Sequence, residues 1–230
     1  MKNILRFGFM AITVLVFFGA VSVTETKAQA VNDILKKMDA HYKLLKSLKA
    51  NIAREKFNSQ LEATDKQQGT ITLLPGKGSK FAFRLDWTKP SKEIISVVNG
   101  KYVAYKDSTK ILYTGTTNSK KLSEKGGNVL QIFSMSKDEI KTAYDVYYVG
   151  QESVSGGVST WHLKLVPKTK MSYKFSELWV DGNGMPVMGR ITMPNNDTDT
   201  ILISSLTKND KIDSSIFKVD YPPGTKIEKL

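Results

Sequence analysis

Asn99-Gly100-Lys101-Tyr102-Val103-Ala104-Tyr105-Lys106-Asp107-Ser108-Thr109-Lys110-Ile111-Leu112-Tyr113 is the stretch that decides the fold. Asn-Gly is the strongest short hairpin signal, because both central residues of a type I′ turn take positive φ. Ile94 to Val98 leads into that turn, Lys101 to Tyr105 leaves it, and a second turn at Lys106 to Thr109 precedes Ile111-Leu112-Tyr113. Upstream, Phe81 to Trp87 alternates strictly, placing Phe81, Phe83, Leu85 and Trp87 on one face and Arg84 and Asp86 on the other. The reading is an antiparallel meander with one unusually apolar face.

Working outward, further period-two runs are expected as strands. These are Ala50–Phe57, Gly69–Leu74 and Lys80–Trp87 before the hairpin, and Lys110–Thr114 at its end. A second set covers Thr142–Glu152, Val158–Val166, Phe175–Val180, Pro186–Met193 and Thr200–Thr207. Turn residues stand between them at Pro75-Gly76, Gly156-Gly157, Asp181-Gly182-Asn183-Gly184 and Asn195-Asn196-Asp197. That makes about eleven strands, a mainly β chain forming a barrel or a strongly curved sheet.

One helix precedes them. Val31, Ile34, Leu35, Met38, Tyr42, Leu45 and Leu48 recur at spacings of three and four, with Asn32 fitting an N-cap. Between the two sets of strands, Thr116 to Asn128 is polar and glycine-containing. It is followed by the apolar cluster Val129-Leu130-Gln131-Ile132-Phe133-Ser134-Met135. An insertion of that length in a meander is either functional or mobile, or a short helix plugging one barrel end.

Lys2 and Arg6, the apolar run Phe7 to Val23, and Ala28-Gln29-Ala30 have the order of a cleavable export signal. The expected organisation is therefore a signal peptide over 1–30 and one domain over 31–230, in the periplasm. The chain has no cysteine, which removes thiol catalysis, thiolate metal sites and a lipidation point. The formal charge is +12; losing Lys2, Arg6, Lys27 and Glu25 removes a net +2 and leaves about +10. Export makes nucleic acid an unexpected partner, and the lysines are spread over nearly every turn rather than clustered.

The two histidines, His41 and His162, stand in no Ser-His-Asp pattern, and no phosphate-binding glycine loop or calcium loop occurs. Glu152 and Glu177 could pair in space, with nothing in the sequence to bring them together. Neither enzymatic activity, metal nor cofactor is expected.

Several blocks in order resemble the family of the periplasmic outer-membrane lipoprotein carrier protein LolA. They are Leu44 to Ala50, Phe83 to Pro90, Val97 to Tyr105, Leu178-Trp179-Val180-Asp181 with Gly184-Met185-Pro186-Val187, Asp213 to Phe217, and Pro222-Pro223-Gly224-Thr225. The resemblance implies an incomplete, strongly curved antiparallel barrel, with the N-terminal helix and short lid helices over its concave side. It implies a soluble carrier that shields lipoprotein acyl chains. That carrier, expected as a monomer, receives cargo from an inner-membrane release complex and passes it to an outer-membrane acceptor. A binding or sensing module for a free lipid, a glycolipid or an envelope protein is the alternative on the same scaffold.

By that resemblance Met38, Phe83, Leu85 and Trp87 line the hydrophobic cargo cavity. Val129, Leu130, Ile132 and Phe133 form the lid, hinged at Gly126-Gly127. The arginine that fastens the lid in carrier relatives is missing here, where the stretch reads Leu73-Leu74-Pro75-Gly76-Lys77.

Overall fold

The computed structural model describes residues 22–76, 81–116, 133, 135–154 and 156–229. A helix, α1 (Ser22–Leu44), opens the described chain. It is followed by β1 (Leu48–Asn58), β2 (Ala63–Leu74), β3 (Ala82–Lys89), β4 (Glu93–Val98), β5 (Lys101–Lys106) and β6 (Ile111–Thr116). A second short helix, α2 (Lys137–Ala143), leads into β7 (Tyr144–Val154), β8 (Val158–Pro167), β9 (Phe175–Asp181), β10 (Pro186–Thr192) and β11 (Thr198–Lys208). A 3-10 turn at Ser214–Phe217 and β12 (Lys226–Lys229) end the described chain.

All twelve strands join one sheet in the order β12-β6-β5-β4-β3-β2-β1-β11-β10-β9-β8-β7. Two meanders, β1 to β6 and β7 to β11, meet where β1 pairs antiparallel with β11. The deciding hairpin is as read: Asn99 and Gly100 take φ of 51° and 76°, and Val98 faces Lys101 across the turn.

The eleven expected strands are all present, and β12 adds a twelfth in parallel to β6, a pairing with no hairpin signal to announce it. Three expectations are corrected. The helix does not start at Asn32. It runs from Ser22 through helix-compatible residues, so Asn32 is interior and its side chain instead accepts from Lys141 Nζ of α2. The apolar stripe is also shorter: Val31, Ile34, Leu35 and Met38 are buried, whereas Tyr42 is exposed and Leu48 belongs to β1. Finally, Thr142 and Ala143 close α2 rather than begin a strand. A capping box sets the start of that helix, in which Glu139 N–H donates to Ser136 Oγ at 3.2 Å and Ser136 N–H donates to Glu139 Oε2 at 2.7 Å.

Parity then sorts the two faces. On the inner face α1 lays its stripe against Ile52, Ile71, Leu85 and Trp87 on one side and Leu163, Leu165, Leu178 and Val180 on the other. Ile140 of α2 is fully buried in the same cluster, and Asp39 of α1 accepts from Lys137 N–H at 2.8 Å. The β9–β10 turn holds α1 from the opposite end. Gly184, at φ 84°, approaches so closely that a Cβ there would stand 2.3 Å from the Lys37 carbonyl.

The outer face of β3 to β6 is covered by the C-terminal segment. Arg84 pairs with Asp86 and also donates to the Ile216 and Lys218 carbonyls at 2.7 and 2.9 Å. Ser96 Oγ donates to the Phe217 carbonyl at 2.6 Å, which seats Phe217 and Val219 as buried residues.

Candidate functional site

The inner face gathers the residues expected at the cavity. Met38, Leu85 and Trp87 are buried in one apolar cluster, and Phe83 lies partly buried at its border. Arg84 faces away, as its parity requires. Of the expected lid residues, Phe133 is helical, partly buried and packed on that same cluster. Val129, Leu130, Ile132 and the Gly126-Gly127 hinge lie outside the described residues.

Cross-strand pairing turns this face into a map. One row runs Leu163, Leu178, Gly189, Ile201 and Arg54, each directly opposite the next. The neighbouring row runs Leu165, Ser176, Ile191 and Asp199. The first four members of each row are buried, and those of the first row are wholly apolar.

Toward one end the face becomes polar. Arg54 Nε donates to Asp199 Oδ1 at 2.8 Å, with a second bond from its guanidinium to Oδ2, and both side chains are about nine-tenths buried. Ser176 is 0% exposed, and its Oγ has no hydrogen-bond partner. Tyr144 and Tyr173 bring their hydroxyls within 2.6 Å of each other. Burial and that hydrogen bond push the Tyr173 hydroxyl well above its ordinary range. None of this was read from the sequence. Arg54 stands on the inward parity of β1, and that alternation could have flagged it.

A second polar group forms on the outer face of β7 to β10. His162 places Nδ1 at 2.6 Å from Glu152 Oε1 and Nε2 at 3.0 Å from Glu177 Oε1, and stacks on Trp179 with centroids 4.2 Å apart. Trp179 Nε1–H donates to the same Glu152 oxygen at 2.5 Å. Burial would raise the Glu177 carboxyl, but the His162 contact, with Arg190 and Lys164, outweighs it and holds the group below its ordinary range. The two carboxylates do come together, one on each side of the ring. Both ring nitrogens are thereby occupied, which leaves none to activate a nucleophile. Among the described residues no cluster of His, Asp and Glu fits a metal ion.

Two open grooves flank α1. One of about 530 Å³ lies between its C-terminal end and the β9–β10 turn, lined by Lys37, His41, Leu44, Asn183 and Lys208. His41 there is held below its ordinary range by burial and then by the charge of Lys208, against Asp181 and the Asn183 backbone. The other, of about 230 Å³, runs between α1 and the β7–β8 pair, lined by Ile34, Lys37, Tyr148, Gln151 and Trp161. Lys37 Nζ sits 5.2 Å from the Trp161 ring centroid. The second groove leads from solvent to the edge of the apolar cluster, since Ile34 is part of that cluster and Tyr148 and Trp161 pack on it.

Residues 43–220 match the family model described as outer membrane lipoprotein carrier protein LolA. No curated protein matches the chain. Among solved structures, an uncharacterized conserved protein from Thermus thermophilus is similar at 12% identity and a TM-score of 0.57, covering 88% of this chain and 100% of that one. MucB is similar at 13% identity and a TM-score of 0.57, covering 84% of this chain and 63% of MucB. The Pseudomonas aeruginosa MucA/MucB complex gives 14% identity and a TM-score of 0.53, covering 83% of this chain and 61% of the matched one. At these identities the likeness is one of fold, and this chain spans less than two thirds of MucB's length.

Proposed function

The chain belongs to the family of the outer membrane lipoprotein carrier protein LolA, and from that premise we propose that it is a periplasmic carrier. It shields the acyl chains of lipoproteins on the inner face of its sheet. The observation that carries this reading is the apolar face covered by the amphipathic helix α1, with Ile140 of α2 buried beside it. Met38, Leu85 and Trp87 meet there in one cluster that also holds Leu35 and Ile34.

The reading includes a sheet curved toward an incomplete barrel. Neighbouring strands are about 4.8 Å apart, so β3 and β7, seven steps apart in the order, would lie about 34 Å apart if flat. Trp87 of β3 and Tyr144 of β7 nevertheless share one apolar cluster, which favours a strongly bent sheet.

Cargo enters by exchange with the helix. Lifting α1 exposes four buried side chains, Val31, Ile34, Leu35 and Met38, at about 1.5 to 3 kcal/mol each, or about 6 to 12 kcal/mol together. An acyl chain of about fifteen methylenes returns about 12 kcal/mol when it takes their place. The two quantities are comparable, so loading and release are both accessible, as a shuttle requires. The groove beside Tyr148 and Trp161 is the entry, and Phe133, packed on the same cluster, belongs to the lid.

The experiment is mass spectrometry of what accompanies the protein when it is expressed with its leader and recovered from the envelope without detergent. Acylated lipoproteins bound to it support the carrier. A second reading, a module that binds a protein partner, is favoured by the likeness to MucB crystallised with MucA. Recovery of a non-acylated protein at fixed stoichiometry, with no acyl chain, would replace the first reading by the second.

A further inference from the structure

A buried hydroxyl without a partner is an exception among folded proteins and asks for a reason, because an unmade bond costs about 1 to 3 kcal/mol. Ser176 is such a group: 0% exposed, near the start of β9, with no hydrogen bond from Oγ. It lies on the face that α1 covers, in the row Leu165, Ser176, Ile191, Asp199. Two strands along that row, about 10 Å away, Asp199 holds Arg54. The guanidinium uses Nε–H and one terminal N–H on the carboxylate, which leaves further N–H donors. Beyond this strip, in the row Leu163, Leu178, Gly189, Ile201, the face is wholly apolar.

An apolar face that ends in donors matches a molecule that is apolar along its length and carries acceptors at one end. An acyl ester or amide is that molecule: methylenes, then a carbonyl that accepts and cannot donate. Ser176 O–H is a donor with nothing to give to, and the Arg54–Asp199 pair is neutral as a unit, so the strip offers hydrogen bonds without a net charge. Gly189, buried and without a side chain, stands between Leu178 and Ile201 in the apolar row beside Ser176.

We propose that Ser176, with Arg54 beside Asp199, forms the carbonyl-binding end of the acyl site and fixes which way cargo chains lie on the inner face. The carbonyls at the base of the chains bond to this strip and the tails run from it over Leu178 and Val180 toward α1. The inference rests on the carrier reading and adds to it a chemical requirement: cargo is held by its ester or amide linkages as well as by its methylenes.

The test uses the mature chain and Ser176→Ala, with three probes. One is a synthetic peptide bearing an S-(2,3-bis(palmitoyloxy)propyl) cysteine at its N-terminus. The second is the same peptide with two ether-linked alkyl chains of equal length. The third is dipalmitoyl phosphatidylglycerol, which separates a free phospholipid from a lipoprotein as the source of the linkage. Ser176→Ala should bind the diester peptide about five-fold more weakly, the effect of one hydrogen bond, while binding the diether peptide as the parent does. Its thermal midpoint should be no lower, because the change removes an unsatisfied group. Arg54→Lys, which keeps the charge but loses the planar fork, should narrow the ester-to-ether preference as well.

An equal loss for ester and ether probes, or no loss for either, overturns the proposal while leaving the carrier intact. Failure of the parent to bind any of the three overturns the carrier reading together with it. An ester-dependent loss seen with the phospholipid but not the peptide assigns the site to free lipid.

Discussion

Leu163 and His162 are neighbours on β8, as Leu178 and Glu177 are on β9, yet each pair divides between two different kinds of chemistry. On the inner face Leu163, Leu165, Leu178 and Val180 are all 0% exposed, packed beneath α1 and joined to no polar partner. On the outer face His162, Glu177, Trp179 and Arg190 fit together through directed contacts at fixed distances. The inner face is held by area, which any apolar occupant of similar size can supply. The outer face is held by geometry, which only these groups supply. In the proposed carrier, the surface held by area exchanges its own helix for a ligand, and the back of the sheet keeps the strands in register.

The contrast can be broken most forcefully at the Arg54–Asp199 pair, where buried charge enters the inner face. Asp199→Ala leaves the Arg54 guanidinium buried and unpaired, and should cost about 3 to 5 kcal/mol in urea unfolding. Replacing both, as Arg54→Met with Asp199→Leu, should recover most of that loss. If the single and double variants are equally destabilised, the pair is not a closed unit. Next in size, Leu178→Ala should cost about 3 kcal/mol with an unchanged urea slope, because a fully buried side chain leaves a cavity.

Outer-face changes should be smaller and pH-dependent. Glu177→Gln removes an ionic hydrogen bond to His162 and should cost about 1.5 to 3 kcal/mol at neutral pH. The parent Glu177 carboxyl is held below its ordinary value of 4.5, so its contribution is complete above that pH. It is lost as pH falls through the folded value. The variant's stability should therefore decline less steeply than the parent's in acid, and parallel declines would contradict the assignment.

The smallest effect belongs to His41, which has the opposite pH profile from a carboxylate-paired histidine. Burial and Lys208 hold it below 6.5, so the folded chain binds its proton less well than the unfolded chain. Its favourable contribution is present above 6.5 and shrinks as pH falls below it. His41→Gln should flatten that slope.

The legible and the hidden parts of this molecule divide along the same line. Period-two alternation placed Phe83, Leu85 and Trp87 together, and Asn99-Gly100 fixed a hairpin, because both signals are local and repeat with the backbone. The helix α2 was not read from the sequence, although Ser136 and Glu139 stand at capping-box spacing, and the alternating run after it drew the strand boundary forward by two residues. β12 pairs in parallel with a strand more than a hundred residues earlier, and no local pattern encodes such a partner. The polar strip was hidden for the same reason. Arg54 and Asp199 are 145 positions apart, and Ser176 stands out only once burial shows that nothing bonds to it. His162, Glu152 and Glu177 met through two register pairings that depend on a bulge in β7 after Tyr148.

The account turns on whether α1 gives way to acyl chains on the inner face. Amide hydrogen exchange, followed with and without the diacylated peptide, measures this directly. The account predicts faster exchange in α1 over 31–44 on addition of the diacylated peptide, no change with the same peptide lacking acyl chains, and unchanged protection in β8 and β9. Binding of the diacylated peptide with α1 as protected as before, or with equal effects from the non-acylated peptide, would contradict it.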